Sequence, residues 1–200
     1  MHEESLTANA TELGPVASVV KRRRTNLLMD RDRGVEDVLV TELLELITWA
    51  PNHKRTWPWQ VAVFSGASRS RLGEACAFDL ETAGMTDEAK LTKTRGKYTR
   101  SPVVVAVGQA GFSGKADSDF HRVGEDRDAV AAGIQNFLLG ATAAGLASYW
   151  GSAGEPIGAA LLRCCGFEPT SRVNALIYLG WPASDQEAPA RPALPITWHR

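Results

Sequence analysis

Cysteine is scarce in this chain: three residues in 200, at positions 76, 164 and 165. The number is odd, two are adjacent and none forms a C-x-x-C pair. That excludes a disulfide framework and a cysteine-rich zinc cluster, and it fits a reducing, cytoplasmic setting. No apolar run approaches the ~20 residues of a membrane span. The N-terminal stretch MHEESLTANATELG is polar and acidic and lacks an apolar h-region, so it does not read as a signal peptide. A formal net charge of -1 removes any global electrostatic reason to bind nucleic acid or an anionic membrane, so a basic site must be local. Several catalytic signatures are also missing. There is no G-x-S-x-G, G-x-G-x-x-G, H-E-x-x-H or EF-hand pattern. Gly114-Lys115 fails as a P-loop, because Gln109 stands five residues before Gly114 and Ala116 follows Lys115.

What is present suits one globular unit. A hydrophobic content of 44% over 200 residues can build one sizeable core but hardly two. Residues 1–14 have little to bury and are expected to form a loosely ordered, flexible tail ahead of a single domain over 15–200. PVASVVKRRR, from Pro15 to Arg24, predicts a short helix opened by its proline and closed by cations. Val35 to Trp49 has apolar residues at helical spacing, and Pro51 stops it. Gln60 to Phe64 and Pro102 to Val107 read as strands, the second buried on both faces. Residues 68–98 are mostly helical with a break near 84–89, and 108–127, rich in glycine, serine and charge, read as a long loop. Asp128 to Gly145 is a helix apolar nearly all round, so it must be buried on most sides. Tyr149 to Gly154 reads as a glycine-containing loop, Pro156 to Cys165 as a helix and Val173 to Gly180 as a third strand. Ala188 to Arg200 is proline-rich and extended, with too little pattern to form a unit of its own. Helices and strands mix without strict alternation, which favours an α+β fold.

Three stretches carry candidate chemistry. Arg22, Arg23, Arg24 and Thr25 at a helix end could cradle a phosphate, since guanidinium forks give bidentate charge-assisted bonds and the hydroxyl adds a donor; a solvated basic turn is the plain alternative. Asn52, His53 and Lys54 form a polar corner between helix and strand, beside Trp57 and Trp59. Trp150 is followed by Gly151 and Ser152, whose backbone N–H groups could reach a flat ligand.

The order of these parts resembles that of the FMN-dependent nitroreductase family, over about Val19 to Leu194. The matching stretches are RRT at Arg23 to Thr25, APNHK at Ala50 to Lys54 followed by Pro58 and Trp59, and KYTRSP at Lys97 to Pro102. They continue with GIQNFLLGATAAGLASYW at Gly133 to Trp150 and IYLGWP at Ile177 to Pro182. The A-P-x-H-K form and the short chain are most similar to the minimal nitroreductase subgroup. The resemblance implies a central, mostly antiparallel sheet flanked by helices, with an extended C-terminal tail reaching the partner subunit of a homodimer. It implies FMN at the dimer interface, NADPH or NADH as reductant and a small-molecule acceptor such as a nitroaromatic or quinone, handled in a ping-pong cycle. Residue by residue, it assigns Arg23, Arg24 and Thr25 to the flavin phosphate and His53 to the partner's flavin. Trp150, Gly151 and Ser152 fall to the isoalloxazine, and Arg191 to the phosphate from the C-terminal tail. Gly140, Ala141, Thr142, Ala143, Ala144 and Gly145 fall in a region associated with the nicotinamide donor. Catalysis belongs to flavin N5, so no protein nucleophile and no metal is expected. Three residues depart from the family pattern: Trp57 where glutamine is common, Leu27 where larger relatives carry lysine, and Trp49 where the subgroup has arginine. Branches that fragment flavin or dehalogenate aromatic substrates, and a non-catalytic FMN-binding protein, are the alternatives.

Overall fold

A computed structural model describes residues 3–111, 116–153 and 157–200, with the side chains of 3–12 and 116–121 left aside. The described strands form one four-stranded sheet of β1 (Trp59–Ser65), β2 (Val103–Gln109), β3 (Ala147–Gly151) and β4 (Arg172–Gly180). Their order is β1-β2-β4-β3, and every neighbouring pair is antiparallel. Among the described residues six α-helices accompany it: α1 (Glu3–Arg22), α2 (Asp37–Glu45), α3 (Ser68–Thr82), α4 (Glu88–Arg95), α5 (Ala116–Ala143) and α6 (Gly158–Cys165). This is the α+β arrangement that the mixed patterning predicts.

The sheet separates two apolar layers because successive strand residues face opposite sides. Val103, Val105 and Val107 of β2 and Ile177 and Leu179 of β4 meet Val40 and Leu43 of α2, Ile47, and Ile134 and Phe137 of α5. Val104, Ala106, Leu176 and Tyr178 face the other way, onto Leu72 and Cys76 of α3, Tyr98 and Leu161 of α6. Every residue of β2 is buried, as its unbroken valine-rich run implies. The break expected near 84–89 is real: α3 ends at Thr82, and the Asp87 carboxylate caps α4 by accepting from the Lys90 N–H at 3.1 Å.

Four elements differ from the sequence reading. The first helix does not begin at Pro15 but at Glu3, with Pro15 inside it. The Val35–Trp49 helix is shorter: α2 gives way to a 3₁₀ turn over Leu46–Trp49. The long loop placed at 108–127 is mostly absent, because α5 starts at Ala116; residues 112–115 lie outside the described residues. A helix polar all round gives no hydrophobic period, so the first turns of α5 are invisible to patterning. Finally, Tyr149 to Gly151 belongs to an edge strand, β3, with Ser152 following it. Tyr and Trp favour a pleated, half-buried surface, and here that outweighs the flanking glycines.

Two glycines let α5 lie close to the turn before the corner. A Cβ at Gly133 would stand 2.8 Å from the Ile47 carbonyl oxygen, and one at Gly140 would strike the ends of Leu46 and Leu43. Asn136 Nδ2 donates to the Leu46 carbonyl at 3.1 Å across the same contact. Among the described residues no helix is long and apolar enough to cross a membrane.

Candidate functional site

The arginine turn is built where α1 stops and the chain becomes extended. The Arg23 N–H donates to the Val19 carbonyl at 3.0 Å, completing the last helical turn. Thr25 then bridges Ser148 of β3 in parallel, and the Asn26 N–H donates to the Ser148 carbonyl at 3.0 Å. Arg24 and Asn26 turn to one side, onto a cavity of about 290 Å³ that they share with Thr142 and Gly145. Arg24 is partly spent locally: its Nη1 donates to the carbonyls of Lys21 (2.6 Å) and Arg23 (2.7 Å), covering helix-end acceptors. Its Nε is buried without a partner among the described residues. Asn26 locks the turn, with Nδ2 donating to the Ser184 carbonyl at 2.9 Å and Oδ1 accepting from the Leu28 N–H at 2.8 Å. Arg23 is half-buried and the Thr25 side of the turn is exposed.

Trp150 lies two residues along β3 from Ser148, roughly 7 Å at strand rise. Ser148 and Trp150 face the α5 side, opposite Leu179 and Ile177 of β4. Trp150 is 41% exposed and walls a cavity of about 320 Å³ with Arg127, Ile134 and Asn174, where the Asn174 Oδ1 has no partner among the described residues. Gly151 is buried, and a Cβ there would stand 3.2 Å from both Tyr149 and Tyr178 rings. Ser152 is exposed beyond it.

The corner between the 3₁₀ turn and β1 is strained. Lys54, Arg55 and Trp57 have φ of 60°, 53° and 51°, a left-handed region costing non-glycine residues about 1–2 kcal/mol each. A hydrogen-bonded set holds it. Asn52 Oδ1 accepts from the Trp57 N–H at 2.9 Å, and Asn52 Nδ2 donates to Thr56 Oγ1 at 3.0 Å. Thr56 Oγ1 in turn donates to Asp126, a carboxylate 4% exposed on α5. Trp59 Nε1 donates to the Ala129 carbonyl of the same helix at 3.2 Å. His53, Lys54 and Arg55 are left exposed, and the Trp57 ring lies 5.9 Å from that of Trp59.

The fold thus joins some expected residues and separates others. Arg23, Arg24, Thr25, Trp150 and Gly151 lie along one edge strand. His53 precedes β1, the opposite edge strand, which lies three strand spacings or roughly 14 Å across the sheet from β3. Arg191 is exposed in the segment after β4, where Leu194, Ile196 and Trp198 are 78%, 60% and 74% exposed. The stretch Gly140–Gly145 serves partly as packing: Gly140 meets α2 and the 3₁₀ turn, Ala141 is fully buried, Ala144 packs on the core and Ala143 is exposed. Only Thr142 and Gly145 of that stretch reach the Arg24 cavity. Asp126, Thr56 and Asn174 escape sequence reasoning. Asp126 sits in a charge-rich run where nothing marks one carboxylate as buried.

Comparison with known proteins supports the fold. The chain is similar to the Bacillus subtilis protein named "Putative NAD(P)H nitroreductase YfhC", 25% identical over 173 residues, covering 85% of this chain and 86% of that one. The crystal structure of a nitroreductase-like family protein from Bacillus cereus superposes with a TM-score of 0.74 at 27% identity, covering 89% of this chain and 91% of that chain. A nitroreductase with bound FMN from Bacteroides fragilis shares the fold at a TM-score of 0.70 and 20% identity, over 92% and 98% of the two chains. The profile of the Nitroreductase family matches residues 20–181, most of the chain and all four strands that carry the turn, the aromatic wall and the corner, so the chain belongs to the Nitroreductase family.

Proposed function

We propose that the chain is an FMN-dependent oxidoreductase that uses NADPH or NADH to reduce nitroaromatic, quinone or related acceptors in a ping-pong cycle. It would work as a homodimer with flavin at the interface. One observation carries this reading: the cationic turn is hydrogen-bonded onto β3 two residues from a half-exposed indole, so anion donors and a planar wall share one strand.

The residues present fit the phosphate end of FMN. The buried Arg24 Nε lacks an acceptor among the described residues, Arg23 and Thr25 add a guanidinium and a hydroxyl, and all three sit on a backbone that Asn26 fixes. Gly151 is accounted for by packing on the opposite face of β3, where any side chain would press on Tyr149 and Tyr178. Leu27 is packed against the apolar layer under α3, so it gives no donor to the N1 and O2 edge of the ring. Bound FMN would supply hydride acceptance and donation at N5. The chain's part is to hold the phosphate, to exclude water with Trp150 and to bring positive charge toward the ring.

Dimerisation has its own support. Trp49 is 82% exposed beside an apolar groove of about 400 Å³ formed by Val16, Val19, Leu46 and Leu139. A tail bearing Trp198 stands clear of its own subunit. A second copy of the chain would cover both and bring His53 and Arg191 to the other subunit's flavin. The cysteines are free, and cytoplasmic placement belongs to the same proposal.

The deciding experiment is an absorbance spectrum of the purified protein before and after anaerobic NADPH, paired with FMN titration of Arg23→Ala. A yellow chromophore that bleaches, and a loss of FMN affinity of about tenfold or more on removing a charge-assisted phosphate contact, are the expected results. A protein that takes up no FMN, or Arg23→Ala with unchanged affinity, would refute the assignment.

A further inference from the structure

The corner from His53 to Trp57 displays more charge than one cofactor contact needs. Lys54 and Arg55 are exposed, and neither forms an ion pair among the described residues. Asp126, the acid bonded into the corner, is taken by Thr56. Two residues further along the chain Trp57 offers an indole 59% exposed, tilted 52° against Trp59. A solvated loop would relax its left-handed residues. Here Asn52, Thr56 and the buried Asp126 hold φ positive at Lys54, Arg55 and Trp57, so the three side chains are presented by a fixed backbone. The net charge of the whole chain is -1, so these cations are a local feature rather than part of a basic surface.

From this juxtaposition we infer that the corner selects the electron acceptor, and that the preferred acceptor is a planar aromatic acid. Its carboxylate pairs with Lys54 and Arg55 while its ring lies on Trp57. A guanidinium fork matches a carboxylate bidentately, an ammonium adds a point charge, and an indole face accepts a flat ring. The inference rests on the reductase reading above, in which His53 borders the partner's flavin. An anionic group also belongs to the reductant and to FMN, so the test must separate the three.

The experiment compares the FMN-loaded wild type with the double variant Lys54→Gln/Arg55→Gln. The values of kcat/KM are measured for 4-nitrobenzoate, for its methyl ester and for NADPH. Binding of acid and ester without reductant is followed by quenching of tryptophan fluorescence. The ratio of acid to ester is expected to fall about tenfold or more in the variant, in both kcat/KM and affinity, as for loss of a charge-assisted bond. Raising salt from about 50 to about 500 mM should erode the same ratio in the wild type. Acid and ester falling together, a loss confined to NADPH, or a loss of FMN would each overturn the inference. If the wild type reduces no acceptor, the reductase reading fails, and the fluorescence titration still decides the corner. Acid binding that depends on Lys54 and Arg55 sustains it; equal affinity for acid and ester removes it.

Discussion

Thr56→Val probes the link between the corner and α5. The substitution keeps the side-chain shape and deletes the hydroxyl that donates to Asp126 and accepts from Asn52. Asp126 is 4% exposed, so its carboxylate would be left under-satisfied in a poorly hydrated place, at about 1.5–3 kcal/mol for a bond to a charged group. Asn52 is half-buried, and water can replace its lost acceptor at a cost of about 0.5 kcal/mol. The expected destabilisation is therefore about 2–3.5 kcal/mol. With a urea m-value of about 2 kcal/mol/M, the midpoint falls by about 1–1.8 M. Thr56→Ser keeps the hydroxyl and should lose less than about 1 kcal/mol. Because the valine substitution also frees a corner in which Lys54, Arg55 and Trp57 are left-handed, it should weaken acceptor selectivity along with stability. Asp126→Asn closes a double-mutant cycle, and coupling above about 1 kcal/mol with Thr56→Val is expected. A Thr56→Val protein within about 0.5 kcal/mol of wild type, or additive losses, would show that this bond does not hold the corner.

Two glycines of α5 give a contrasting pair. Gly133→Ala meets a backbone carbonyl that cannot move aside, and overpacking of about 1–3 kcal/mol should exceed the ~1 kcal/mol gained in helix propensity. Gly140→Ala meets only leucine ends and should be close to neutral; both are read from urea midpoints. Burial pushes the Cys165 thiol up to about 12, with Cys164 and Cys76 adding to the effect, and burial raises Cys76 as well. Between about pH 9 and 12 the unfolded chain gives up the Cys165 proton while the folded chain keeps it, so stability should fall as pH rises through that window. Cys165→Ala should flatten the slope, as followed by urea midpoints against pH. At about pH 8, iodoacetamide should label the exposed Cys164 well before the buried Cys76, and equal rates in the native protein would contradict the placement.

Features that depend on neighbours in the chain were legible from the residues alone. The valine run of β2, the strand at Val173–Gly180, the break before Asp87 and the buried second half of α5 all carry their pattern locally. The motif order was enough to place the chain in its family, and it nominated Arg23, Thr25, His53 and Trp150 as candidates for the flavin site. What those residues meet is settled by the folded chain. That the arginine turn lies on β3 follows from the Thr25–Ser148 bridge, and that Asp126 pins the corner follows from a bond between residues 70 positions apart. No window of residues contains either partner set. The first turns of α5 stayed hidden because a polar helix carries no hydrophobic period, and β3 because its few residues sit between glycines. The same distance in sequence explains the corner's strain: left-handed backbone at Lys54, Arg55 and Trp57 is unfavourable locally, and persists because contacts made across the fold hold it there.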